Sequence, residues 1–295
     1  MAKPDRTAQF NKLQKVLKKH YEPVLPLANR SVLEHLLFGL CLENSAYDKA
    51  EEAFARLQLY DDWNEVRVTS ATELREVMSG LADPAAAASR VKATLQGIFE
   101  QGLFDQKYEF NIDHLRKQNI GKAIKELEKF SSLTPFSLAY LTQAALGGHA
   151  IPLDKGTLDV LLVLDVITEK DYEKQHVPGL ERTIPKTKGA EFSSLLHQLG
   201  ADYYHSPFSP RVRSILLEIN PDCKDRLPKR SSKEEKEEPE AVPQSKPEAA
   251  SEKPKAKTER AAKAEAKAEP KKKAAAPKAA ESAKTAKGTT KRKPR

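Results

Sequence analysis

The chain has 295 residues, 39% of them hydrophobic and 31% charged, with a formal net charge of +8. Residues 228–295 hold 21 Lys and Arg against 11 Asp and Glu and carry +10, which leaves residues 1–227 at −2. Net charge therefore excludes locating a nucleic-acid groove within residues 1–227, and two cysteines, Cys41 and Cys223, exclude a disulfide framework or a CxxC metal site.

The opening MAKPDRTAQFNKL has no apolar core of signal-peptide length, and no run approaches the roughly 20 apolar residues of a membrane span. These features predict an intracellular protein, in the cytoplasm or nucleoid of a prokaryote or the nucleus of a eukaryote, without a membrane partner. Nothing in the pattern requires an oligomer.

Helical spacing dominates from the start. Phe10, Leu13, Val16 and Leu17 form a first apolar stripe, and VLEHLLFGLCL (32–42) is apolar nearly all round, as a helix at the centre of a bundle must be. Ala50, Ala53, Phe54 and Leu57 make the next stripe. Trp63, in YDDWNEV, reads as a loop anchor, with a stacking surface as the alternative. Ser70 and Glu73 have the spacing of a capping box, and Asp83-Pro84 joins an N-cap to an N1 proline ahead of Val91, Leu95, Ile98 and Phe99. Short helices fit 113–119 and 122–129.

Thr134-Pro135 opens a further helix that stops at Gly147-Gly148. In AIPLDKGTLDVLLVLDVI, Asp154 can cap a second buried helix carrying the apolar run 158–167. No alternating strand pattern of convincing length occurs, so the expected fold class is all-α. From Pro228 the composition turns to Lys, Ala, Glu and Pro, with no aromatic residue and too few apolar groups to offset the entropy of ordering. Residues 228–295 are expected to be disordered and resemble a histone tail in composition.

Three stretches in order, LLFGLCLENSAYDKAEEAFARL, DPAAAASRVKATLQGIFE and LEKFSSLTPFSLAYLTQAALGGHAIPLDKGTLDVLLVL, resemble the endonuclease III-like superfamily of base-excision DNA glycosylases, with its helix-hairpin-helix and its loop ending in aspartate. The resemblance implies one helical domain over 1–227, built as a lobe from 31–145 and a second lobe joining 1–30 to 146–227, with a cleft between them. It also implies DNA as the partner.

The superfamily's hairpin carries two glycines that present backbone amides to a DNA phosphate. Here the corresponding residues are Leu133, Thr134, Pro135, Phe136, Ser137, Leu138 and Ala139, so Thr134 and Ser137 are the polar groups left there for DNA. Ala139 stands where strand-cleaving members have the lysine that forms a Schiff base with the sugar, and alanine has no amine. AP-lyase activity is not expected. Asp154 falls where the superfamily places its aspartate; it either stabilises a sugar cation during base removal or only caps its helix. Glu43 is a candidate for the pocket.

Many members also hold an iron–sulfur cluster on four cysteines; LGADYYHSPFSPRVRSILLEINPDC contains only Cys223, so no cluster, metal or other cofactor is expected. Tyr203, Tyr204 and Phe208 read as packing in its place, with base stacking as the alternative. His35, His114, His149 and His205 lack metal-ligand spacing.

Three functions fit these residues. The first is a DNA-binding protein of this superfamily, without lyase activity and with or without residual catalysis, held on DNA irrespective of sequence by tail residues such as Lys271, Lys272, Lys273, Lys291, Arg292 and Lys293. The second is an enzyme, a monofunctional DNA glycosylase using Asp154. The third is a helical protein-interaction module.

Overall fold

Cap residues placed ahead of apolar runs set where the helices begin. The structure is a computed structural model that describes residues 6–104 and 109–229. Contacts divide the chain into Met1–Glu238 and Pro239–Arg295, and every described residue lies in the first unit. The expected disorder of 228–295 and the six tail cations fall, from residue 230 onward, outside the described residues.

Thirteen α-helices occur among the described residues. They are α1 (Arg6–His20), α2 (Val32–Leu42), α3 (Tyr47–Leu57), α4 (Trp63–Val68), α5 (Ala71–Val77), α6 (Pro84–Glu100), α7 (Ile120–Leu127), α8 (Pro135–Ala144), α9 (Lys155–Val163), α10 (Glu169–Glu173), α11 (Leu180–Thr183), α12 (Lys186–His205) and α13 (Pro210–Ile219). Short 3-10 segments cover Asp113–Lys117 and Pro221–Arg226. The described residues form no strand; Phe104 and Phe110 make an isolated bridge. No described helix is long and apolar enough to cross a membrane.

The helices build two cores. In the first, α2 is buried along its whole length except Glu34 and packs on α3, α6 and α8. Its start is fixed by a reciprocal cap: Ser31 Oγ accepts from the Glu34 amide at 3.1 Å while the Ser31 amide donates to Glu34 Oε2 at 2.7 Å. Phe54, Val91, Leu95, Phe136 and Leu141 close around it. The second core joins Phe10, Leu13, Val16 and Leu17 of α1 to α9, α12 and α13, including Leu158, Leu161, Phe192, Leu196 and Leu216. Burying each such side chain contributes about 1.5–3 kcal/mol before ordering entropy is subtracted.

Trp63 corrects one expectation. It is the first residue of α4 instead of a loop anchor, because Asp62 Oδ1 caps the Glu65 amide at 2.7 Å and starts a helical turn there. Its ring packs on Phe54, with centroids 6.1 Å apart. Tyr203 is buried in the second core, whereas Tyr204 is exposed beneath the Lys155 ammonium, 5.3 Å from its ring.

Candidate functional site at the lobe junction

Asp154 sits where the two cores meet. It precedes α9 with extended backbone, and its Oδ1 accepts from the Thr157 amide at 2.9 Å, so the capping role is present. Its other oxygen turns to the first lobe. Oδ2 accepts the Asn44 amide at 3.0 Å and lies 3.0 Å from His197 Nδ1. Asn44, two residues past the end of α2, has φ 59°, a left-handed conformation that asparagine tolerates better than most residues, and its amide meets the carboxylate. The Asn44 side chain completes the exchange by accepting from the Gly156 amide at 3.0 Å.

His197, on α12, is the other half of the joint. Its Nε2 donates to the Ser45 carbonyl at 2.8 Å, and its ring lies between Phe136, 5.5 Å away and stacked, and Tyr47, 5.2 Å away and edge-on. Both ring nitrogens therefore face oxygen atoms of the first lobe or of Asp154. The Nδ1 contact is close but is not aligned as a ring N–H hydrogen bond. The side chains of His197 and Asp154 are 2% and 0% exposed.

Burial alone would push the Asp154 carboxyl upward, but the neighbouring His197 and the hydrogen bonding of Thr157 outweigh it and hold the group below the usual aspartate range. The carboxylate is thus ionised, paired and sealed. The helices behind it approach closely as well: a Cβ added to Gly156 would lie 2.3 Å from the Gly200 carbonyl oxygen, and one on Gly200 would lie 2.7 Å from the Thr157 nitrogen. The space beside His197, lined by Tyr47, Phe136, Tyr140, Gln143 and Ser193, is a cavity of about 10 Å³. That volume admits about one water and no nucleobase. Val24 and Pro26, from the segment linking α1 to α2, line it too, and the Val24 amide donates to Ser194 Oγ at 2.7 Å.

The hairpin residues are also committed. Thr134 caps α8: its Oγ1 accepts from the Ser137 amide at 3.1 Å, while its own amide donates to Ser137 Oγ at 2.9 Å. Ser137 has no exposed surface. This corrects the expectation that Ser137 offers itself to DNA, since its hydroxyl and amide are both used inside the cap. Thr134 Oγ1 also donates to Glu43 Oε2 at 3.0 Å, and Glu43 pairs with Arg90 at 2.8 Å. Burial raises the Glu43 carboxyl above its ordinary value against the opposing effects of Arg90 and Thr134. Glu43 ties α2 to α6 and to the start of α8.

Ala139 lies on α8, and the side chains around the small cavity include no lysine. Lys155, next to Asp154, directs its amine to Asp159 Oδ2 at 3.3 Å. Cys41 belongs to the first core and Cys223 to the second, and burial pushes the Cys41 thiol up to about 12. Two thiols in separate cores do not fit the four-thiolate donor set of an iron–sulfur cluster. His149 Nε2 donates to the Glu181 and Ile184 carbonyls, and His114 pairs with Glu126.

Asn44 and His197 escape the sequence reading. The available signal was a polar pair, Glu43-Asn44, after the buried helix and a histidine set beside the apolar stripe of Phe192, Leu195, Leu196 and Leu199.

No protein-family model matches the chain. No curated protein matches it. Among solved structures, a trapped endonuclease III–DNA covalent intermediate in an estranged-adenine complex aligns with TM-score 0.51 and 14% identity over 76% of this chain and 99% of that one. A non-covalent endonuclease III–DNA complex aligns with TM-score 0.50 and 16% identity over 76% and 98%. With its two helical cores, buried central helix and aspartate-capped helix at their junction, the chain has the endonuclease III-like fold.

Proposed function

We propose that this protein binds DNA without AP-lyase chemistry, and that Asp154 serves as a joint between lobes instead of a catalytic group. The observation that supports this reading is the sealed junction: the carboxylate has no exposed surface, three partners occupy it, and the neighbouring cavity holds about one water. Ala139 supplies no amine for a Schiff base. The DNA in the two endonuclease III complexes motivates the partner, and the +10 carried by residues 228–295 motivates the mode of binding. Lysines such as Lys271 to Lys273 release counterions when they meet phosphates, so affinity falls steeply with salt and ignores sequence.

The test compares the full chain with one ending at Leu227 on duplex DNA across a salt series. The full chain binds more tightly at low salt and with the steeper slope; equal affinity at low salt removes the tail from the reading. Borohydride treatment with an abasic oligonucleotide yields no covalent adduct, and a trapped adduct overturns the absence of lyase chemistry.

A second reading, a monofunctional glycosylase, draws on the depressed pKa of Asp154, because an ionised carboxylate at a helix start is the group that stabilises a sugar cation. It requires the lobes to part so that a flipped base can enter. Alkali-sensitive product on a panel of lesion oligonucleotides, lost in a folded Asp154→Asn variant, establishes it.

A further inference from the structure

Residues 21–31 lead from the end of α1, in the second core, to the start of α2, in the first, and form no helix or strand on the way. The two ends of this strap are fixed. Tyr21 donates its amide to the Leu17 carbonyl at 2.9 Å and its hydroxyl to Asp202 Oδ2 at 2.7 Å. At the far end the Arg30 guanidinium lies over the rings of Phe38 and Phe54, 4.2 and 4.8 Å from their centroids, and pairs with Glu51. The Arg30 carbonyl accepts from Arg116 at 2.6 Å, and the buried His35 holds the Leu27 backbone.

The middle is held lightly. Among the described residues, 22–26 are tied by two hydrogen bonds, both to α12: the Val24 amide donates to Ser194 Oγ at 2.7 Å, and the Glu22 carbonyl accepts from Gln198 Nε2 at 2.8 Å. Pro23 and Pro26 have no amide hydrogen to add. Val24 and Leu25 remain 39% and 58% exposed, so the closed strap withdraws little of their apolar surface from water. Packing beneath it is incomplete as well. Two cavities of about 10 Å³ each lie there, both lined by Val24, Pro26, Tyr47 and Tyr140; one reaches Arg30 and Phe38, the other Ser193 and His197. Few buried contacts between firmly anchored ends are the mark of a segment that opens locally while the cores stay folded.

We propose that residues 22–26 are a hinged cover of the lobe junction, which swings out about Tyr21 and Leu27 and joins the two small cavities into one recess reaching His197. The walls left behind are Tyr47 of α3 with Phe136 and Tyr140 of α8, and none of them belongs to the strap. Neither core has to be disrupted. The inference concerns access to the junction and no reaction there, so it stands apart from both readings of Asp154 and from the tail.

Ser193→Cys in the full-length chain puts a thiol under the cover, while the native Cys41 and Cys223, buried in the first and second cores, report global unfolding in the same molecule. Under iodoacetamide, with mass spectrometry assigning each label, position 193 reacts at least about tenfold faster than Cys41 and Cys223, at a rate that low urea does not change. Val24→Ala and Gln198→Ala loosen the strap and each raise the rate at position 193 about threefold without altering the native thiols. Equal rates at all three positions overturn the proposal, because the space then opens only when the protein unfolds. A rate at position 193 that neither loosening variant changes overturns it too, since the reagent then enters by another route. Should Ser193→Cys lose its helical circular dichroism, exchange of the Val24 amide in the native chain decides: exchange faster than in the interiors of α2 and α12 and indifferent to low urea supports the cover, and exchange at the core rate that rises with urea overturns it.

Discussion

The two ends of α2 are built oppositely. At the C-terminal end, Glu43 is tied to Arg90 and Thr134, the Asn44 amide and side chain and the Ser45 carbonyl reach partners across the lobe junction, and about one water's volume is left. At the N-terminal end, about 16 Å away along an 11-residue helix, Glu34 borders a wide cavity of about 950 Å³ with aromatic walls. This chain uses the first end to hold its two cores together. Likeness of fold thus fixes where elements lie without fixing which cavity remains open.

The strongest way to break this contrast is to remove the carboxylate. Asp154→Ala leaves the His197 ring buried opposite nothing, strips the Thr157 amide of its cap and frees the Asn44 amide, so unfolding free energy falls by about 3–5 kcal/mol in urea denaturation. A catalytic carboxylate held in a roomy cleft behaves otherwise, since its removal leaves stability nearly unchanged. Next in size is Gly200→Ala. The added methyl collides with the Thr157 backbone where α12 crosses α9, and overpacking of this kind costs about 1–3 kcal/mol, read as a lowered thermal midpoint. Ser137→Ala follows at about 1 kcal/mol, because the reciprocal cap of α8 is lost while the salt dependence of DNA binding stays the same.

How far these features could be read from the sequence follows the range of the chemistry. Caps are local: Ser70 with Glu73, Asp83 with Pro84 and Asp154 ahead of α9 are legible because donor and acceptor lie within a few residues. The buried α2 is legible from its unbroken apolar run. The junction is not, because the second oxygen of Asp154 is satisfied by Asn44, 110 positions earlier, and by His197 on another helix. Thr134 was legible as a cap from the proline that follows it, whereas Ser137, laid against the superfamily's hairpin, pointed to DNA instead of to the cap it completes. Trp63 escaped as a helix start since Asp62 was read as part of a loop.

The smallest effect sharpens the comparison by pH. Asp154 has a folded pKa below its unfolded value, so it binds fewer protons in the native state; its stabilisation is full above the unfolded pKa of about 3.9 and is lost as pH falls through the folded value. Glu43 has the opposite sign. Desolvation raises its folded pKa, so the native state holds that proton more tightly and Glu43 disfavours folding progressively as pH rises from its unfolded value through its folded one. In the native chain the two partly cancel on the acid side. Glu43→Gln keeps an acceptor for Thr134 and Arg90 while removing the titration, and it changes stability at neutral pH by less than about 1 kcal/mol. Its urea midpoint then climbs more steeply with pH through the carboxylate range than that of the native chain. Parallel curves would mean that Glu43 is solvated in solution, and the sealed end of α2 would have to be open enough to admit water.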